Sequence, residues 1–546
     1  MTGCIFDEID QPFEVLSGEV VHIQIKITDP IVPEPNSHKG VFCVLAPVDW
    51  NFISGSYSFE DNSGHMNMSQ AWGDSAEDCY PSQSFNENMN WIGLTSDSGY
   101  SYNEPIEIVI NLEFQTGDME GCFPIGYLAT KATQGLICSG NQSWAPLSYP
   151  NPIWISTTEE CELYSANSDS GWTGLFHRFE DWSGADGIYS IPFDGSEQIN
   201  FNDNKTLLVF SDTFIGDVDS ASGHRISPTA IINNSYAILT GSLPSEENIE
   251  FYYSINEDGN PESTFLPQTE NSQNGDWYWL MDGIAIEEKF YLFALRMDNG
   301  DNGNAAFAID GVSLLTFNIN DQNDIINLEQ IETPLFYEDT EGWSVVYGQA
   351  IMSKLYESGS PDADEYVYFY GVKNLGGSKE MTVARVSRYY LNEFSQWRFW
   401  DGFHWTADIS QSVSIGYNIS QEFSVSQLSD GHYISTFQLN TVSDYTAYTS
   451  SVSPTGPFSN LNIVWSSIES TNNGNIYSYN AKAHPHLSTE ESLLVSYNVN
   501  SYDFSDHFSN AGLYRPRFIS IPKNDIFMEV NTNTSSSDYQ KGSSEP

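Results

Sequence analysis

The sequence predicts an all-β chain: a β-sandwich over residues 1–162, a five-bladed β-propeller over 163–530 and a linker-like tail over 531–546. Three observations predict it. All six cysteines (Cys4, Cys43, Cys79, Cys122, Cys138 and Cys161) lie in the first 161 residues, so the chain changes character after them. Before that point apolar residues alternate with period two, as half-buried strands do. After about residue 165 one strand-turn-strand unit recurs five times with little helical periodicity.

In the first unit Phe13 to Leu16, Val20 to Ile27, Gly40 to Leu45, Ile106 to Leu112 and Phe123 to Ala129 read as strands separated by Gly, Pro, Asn and Ser. An even cysteine set in one unit reads as a disulfide framework formed in an oxidising compartment; the rival, a zinc site, lacks any Cys-x-x-Cys spacing. The N-terminus MTGCIFDEID has no basic segment followed by an apolar one, so the cysteines carry the expectation of a secreted or cell-surface protein. Sequons such as Asn141-Gln142-Ser143 and Asn204-Lys205-Thr206 are too frequent in an Asn/Ser-rich chain to add weight.

The five later hairpins pair 184–191 with 207–212, 280–286 with 290–295, 346–352 with 366–371, 422–425 with 433–437, and 481–487 with 493–498. At about 73 residues a copy there is room for four strands each, and radial repetition of four-stranded sheets is how a propeller avoids exposed edges. A β-helix needs a shorter, more regular period, and a plain sandwich does not repeat one hairpin five times.

With 19 Lys+Arg against 74 Asp+Glu the formal charge is 19 − 74 = −55, which excludes nucleic acid and anionic membrane surfaces as partners. No run is long enough to insert in a membrane. Aromatic residues make up 14% of the chain, far too many for a disordered polyanion.

In a propeller the start of each first strand and the end of each second strand meet at one face. That collects Asp186 and Asp212, Asp282 and Arg296, Gln349 with Lys373 or Asn374, Glu422 with Gln438 or Asn440, and His484 with Asn498. Asp186, Asp212, Asp282 and Glu422 are the candidate catalytic carboxylates, since hydrolysis of a glycosidic bond needs one protonated and one ionised acid. Each is equally well read as a turn or cap residue. Arg296, Gln349, Lys373, His484 and Asn498 are candidate substrate-binding groups, while Arg515 and Arg517 read as closing the last blade on the first. Trp277, Tyr278, Trp279, Trp343 and Trp405 are candidates to stack on sugar faces, although inter-blade packing accounts for most tryptophans in such a fold. Oxygen ligands make a Ca²⁺ near the channel conceivable, with no cofactor required. Phosphate-loop, zincin and Gly-x-Ser-x-Gly signatures are absent.

The segments GADGIYSIPF at 184–193, LLVFSDTFIG at 207–216, WRFWDGFHW at 397–405, EFSV at 422–425, AHPHL at 483–487, LLVSYNVNS at 493–501 and YRPRFI at 514–519 resemble a family of secreted bacterial propellers known as a domain of unknown function, family 5005. That family is similar to family 4185, which includes arabinan hydrolases, and distantly to glycoside hydrolase family 43. The first unit resembles immunoglobulin-like modules that precede catalytic domains. The resemblance implies Asp186 as base or nucleophile and Asp212 as acid, with Asp282 and Glu422 as substitutes. The family 43 pattern expects an acid in the third blade, where this chain has Gln349. The resulting expectation is a glycoside hydrolase on a polysaccharide or oligosaccharide that requires no cofactor; the alternative is a non-catalytic glycan-binding or structural protein attached at a cell surface.

Overall fold

The computed structural model describes residues 5–29, 34–82, 85, 88–102, 104–132, 137, 147–156, 164–199, 204–298, 308–340, 342–374, 379–467, 469 and 475–526. Cys4, Cys138, Cys161, the sequon at Asn141 and the tail 531–546 lie outside them. The described residues form an all-β structure with a few short helices.

The first ten strands are hydrogen-bonded into one sheet, in the order Ile5–Asp10, Val20–Asp29, Ile106–Gln115, Asn51–Phe59, Asn62–Met68, Met89–Tyr102, Glu34–Pro47, Gly121–Lys131, Leu147–Ile155 and Glu14–Val15. Asn62–Met68 joins its two halves by pairing with Asn51–Phe59 on one edge and Met89–Tyr102 on the other. Val21, Ile23, Ile25 and Ile27 are buried while His22 and Gln24 are exposed, the alternation that a one-face-buried strand requires. Cys79 and Cys122 are disulfide-bonded. Cys43, however, is a free thiol buried in the core, which corrects the expectation that all six cysteines pair.

From residue 164 onward seven sheets follow among the described residues, and five of them each contain one of the five predicted hairpins. Their inner strands are Tyr189–Pro192, Trp277–Ile286, Ser344–Ser353, Phe423–Gln427 and Ile476–Ala483. Inner strands of consecutive sheets touch one another. His484, just past the fifth, reaches Ser190 on the first, so the series returns to its start. Asn167–Ser168 pairs with Arg517–Pro522 and so completes the fifth sheet from the beginning of this region.

The second strands, such as Lys289–Asp298 with Phe290, Leu292, Phe293, Ala294 and Leu295 buried, are apolar on both faces because a sheet packs on each side of them. Three inner strands carry an irregularity at the same place, between Leu280 and Gly283, Tyr347 and Ala350, and Tyr479 and Lys482. A bulge re-aims the residues it contains, and here these include Asp282 and Gln349.

Candidate active site

Asp186 and Asp212 come together as predicted. The Asp186 N–H donates to the Asp212 carbonyl at 3.2 Å, and the Ser211 N–H donates to the Asp186 carbonyl at 2.9 Å. Gly187 between them has φ +62°, and a Cβ there would meet Ser211 Oγ at 2.8 Å, so a glycine is needed for the turn that presents Asp186. Both carboxylates are half-buried. Tyr479 Oη donates to Asp186 Oδ2 at 2.8 Å. Trp279 Nε1 and Asn233 Nδ2 donate to Asp212 Oδ1 at 3.0 and 3.3 Å.

Among the described residues no Lys, Arg or His forms an ion pair with either acid, so nothing cationic offsets the cost of burying them. Burial, followed by the neighbouring charges of Asp212 and Glu422, holds the Asp186 carboxyl well above the usual range against the Tyr479 and Tyr514 hydroxyls. Burial also raises Asp212, opposed by Trp279 and Asn233.

Asp282 and Glu422 are placed differently. Asp282 lines a cavity alongside Tyr189, Glu197, Lys482, His484 and His486. It accepts the N–H groups of Gly283 at 2.8 Å and Ile351 at 2.7 Å, and burial still pushes it up to about 7. Glu197 accepts the Ser353 N–H at 3.0 Å and is pushed by burial up to about 8. Glu422 is ion-paired with Lys482, whose ammonium also lies 4.2 Å from the Tyr189 ring centroid. That pairing gives Glu422 a cationic partner, unlike Asp186 and Asp212.

The predicted binding groups divide in the same way. Arg296 is buried and its fork is taken by Asp310, Glu332 and the Thr269 hydroxyl, with Asp276 at 3.9 Å. This corrects its assignment to substrate. Lys373 donates to the Ser412 carbonyl at 3.2 Å and stands 4.9 Å from the Trp343 ring centroid. His484 is buried between Ser190 and Ser496 at 2.7 and 2.8 Å, and burial holds it well below the ordinary histidine range, so it is a satisfied neutral histidine. Gln349 is fully buried with neither amide atom hydrogen-bonded. Gln438 donates to the Ser443 carbonyl at 2.7 Å.

Asn498 donates to the Ala185 carbonyl at 3.1 Å, one residue before Asp186. Arg515 donates to the Ser183 carbonyl at 3.0 Å, and Arg225 to the same carbonyl at 3.2 Å and to that of Leu513 at 3.3 Å. Together they clamp the segment that leads into Asp186, in keeping with the closing role expected of Arg515. Arg517 instead pairs with Glu469 at 3.1 Å.

Sequence reasoning missed Tyr479, Tyr514, Asn233, Arg225 and Glu197. Arg225 carried a usable signal, being one of only 19 basic residues. The tyrosines are among 31, and nothing local marks two of them. Among the described residues no group of three or more His, Cys, Asp or Glu converges as a metal site, so the Ca²⁺ expectation acquires no ligand set.

The fold and site define an all-β protein in which Asp186 and Asp212, joined by backbone hydrogen bonds, lie where its first repeated sheet meets the last. The profile of a family described as a domain of unknown function, DUF5005, matches residues 169–527, more than half of the chain, and the chain belongs to that family. A candidate hydrolase from Bacteroides ovatus ATCC 8483 is similar in structure, with a TM-score of 0.51 and 19% identity over 67% of this chain and 92% of that one. A Dyadobacter fermentans protein of unknown function aligns with a TM-score of 0.30 and 10% identity over 63% of this chain and 96% of that one. No curated protein matches the sequence.

Proposed function

We propose that the chain is a secreted glycoside hydrolase that cleaves a polysaccharide with Asp186 and Asp212. In this reading the five sheets are the blades of a five-bladed propeller, and the first 162 residues are an immunoglobulin-like sandwich stapled by disulfides. The observation that carries it is the uncompensated acid pair. Two carboxylates on hydrogen-bonded neighbours, lacking a cation, are an arrangement that stability alone does not favour. The similarity to a candidate hydrolase supports the fold of this reading.

The hydrogen bonds divide the labour. Trp Nε1–H and Asn Nδ2–H can only donate, so the Asp212 oxygen they share favours the ionised state. A tyrosine hydroxyl can donate or accept, so Tyr479 tolerates a protonated Asp186. Asp186 is therefore the acid and Asp212 the base or nucleophile, the reverse of the assignment expected from sequence. Incubating the purified protein with a panel of polysaccharides and measuring released reducing ends tests this. Asp186→Asn is expected to lower turnover by about 10²- to 10⁴-fold, and unchanged turnover sinks the proposal.

The Glu422–Lys482 pair favours one rival, a non-catalytic glycan-binding protein, because it neutralises one of the four candidate acids. Binding without any released ends would select it.

A further inference from the structure

An aromatic arm extends from each carboxylate. Tyr479, bonded to Asp186, has its ring centroid 5.6 Å from that of Tyr477, and Tyr477 lies 4.6 Å from Tyr502 at an interplanar angle of 35°. Tyr502 is 58% exposed although it is a large aromatic residue. Trp279, bonded to Asp212, lies 6.3 Å from Trp277. The ring planes turn along each arm, by 50° from Tyr479 to Tyr477, 35° from Tyr477 to Tyr502 and 74° from Trp279 to Trp277, so the arms offer faces and edges together to the apolar C–H surfaces of a sugar chain.

We propose that Tyr477 and Tyr502 form a binding platform for a neutral polysaccharide, connected through Tyr479 to Asp186, with Trp277 and Trp279 extending it from Asp212. This rests on the hydrolase reading for its catalytic meaning, although the platform binds with or without cleavage. The ligand is neutral for electrostatic reasons. A chain of formal charge −55 repels uronate or sulfate groups, and the acid pair does so again at close range. Stacking on tyrosine and tryptophan needs no charge on the sugar.

The test is native affinity electrophoresis of the full chain through gels containing arabinan, arabinoxylan, galactomannan, mixed-linkage β-glucan or polygalacturonate, run beside the reducing-end assay. At least one neutral polymer is expected to retard the protein, and polygalacturonate is not. Asp186→Asn keeps the retardation. Tyr502→Ala weakens it about tenfold, and Tyr502→Phe restores it to within about twofold. Tyr502 is a surface residue, and an unchanged melting temperature in both variants shows that the platform alone was altered.

Retardation indifferent to Tyr502→Ala, or retardation by none of the neutral polymers, overturns the platform. Tyr502-dependent binding with no reducing ends released keeps the platform and overturns the hydrolase. Release that requires Asp186 but ignores Tyr502 does the opposite.

Discussion

Asp186 and Asp212, 26 positions apart, are joined by a backbone hydrogen bond of 3.2 Å from the N–H of the first to the carbonyl of the second. Both residues lie in the short bends between strands, Asp186 between Trp182–Ala185 and Tyr189–Pro192 and Asp212 between Lys205–Phe210 and Thr213–Ile215, and the backbone bond ties the two bends together. In the proposed hydrolase, such a tie would hold the two acids in place before substrate arrives, which lowers the entropic part of a barrier.

Burial raises the proton affinity of Asp212, and its two donors oppose that rise. Trp279→Phe removes one N–H while keeping an aromatic ring. We expect kcat to fall about tenfold, a typical cost of one hydrogen bond to a charged group, and the acidic limb of the pH–rate profile to move to higher pH. A limb that stays in place would show that Trp279 only packs.

Lys482 is 1% exposed and neutralises Glu422. Lys482→Met leaves a carboxylate uncompensated and is expected to cost about 3–5 kcal/mol of stability, as breaking a buried pair does. Adding Glu422→Gln should recover most of it. Denaturant unfolding of the two variants measures both, and equal stability of the single and double variants would refute the coupling.

The clamp on the strand before Asp186 predicts a loss with a position attached. Asn498→Ala removes the donor to the Ala185 carbonyl, and Arg515→Met removes a donor to the Ser183 carbonyl. Each is expected to lower stability by about 1–3 kcal/mol and to slow turnover more than it raises KM. Unchanged kcat in both would mean the segment holds its place unaided.

Glu197 and Asp282 have folded-state affinities raised by burial to about 8 and about 7, above the ordinary carboxyl range they take when unfolded. Between those limits the folded state holds the proton and the unfolded state does not, so stability is full at low pH and falls as pH rises through about 7 to 8. His486, held by burial near 3, acts oppositely, gaining stability as pH rises to the ordinary histidine range, and contributes no slope above it. Thermal melts should therefore decline between pH 6.5 and 8 and stop declining above it, and Glu197→Gln with Asp282→Asn should flatten the decline. A rising curve would contradict the sign.

Much of the fold was legible because strands declare themselves locally. Period-two alternation marks Val20–Asp29, and buried runs such as Phe290 to Leu295 mark the second strands. All five predicted hairpins pair as read, and the pairing brought Asp186 beside Asp212. The candidate site was legible only as a set of residue types. Arg296 and Glu422 looked like free functional groups, yet their partners Glu332 and Lys482 lie 36 and 60 positions away.

The amino-acid sequence by itself determined the all-β class, the fivefold repeat of hairpins and the excess of acid, since each follows from the spacing or number of residues along the chain. Only the tertiary structure decided which acids keep a cation and which do not. Tyr479 reaches Asp186 across 293 positions, and Asn498 reaches Ala185 across 313. Strand periodicity is set by neighbours in the chain, whereas compensation of a buried charge is set by neighbours in space, and the return of the last sheet to the first supplies those neighbours.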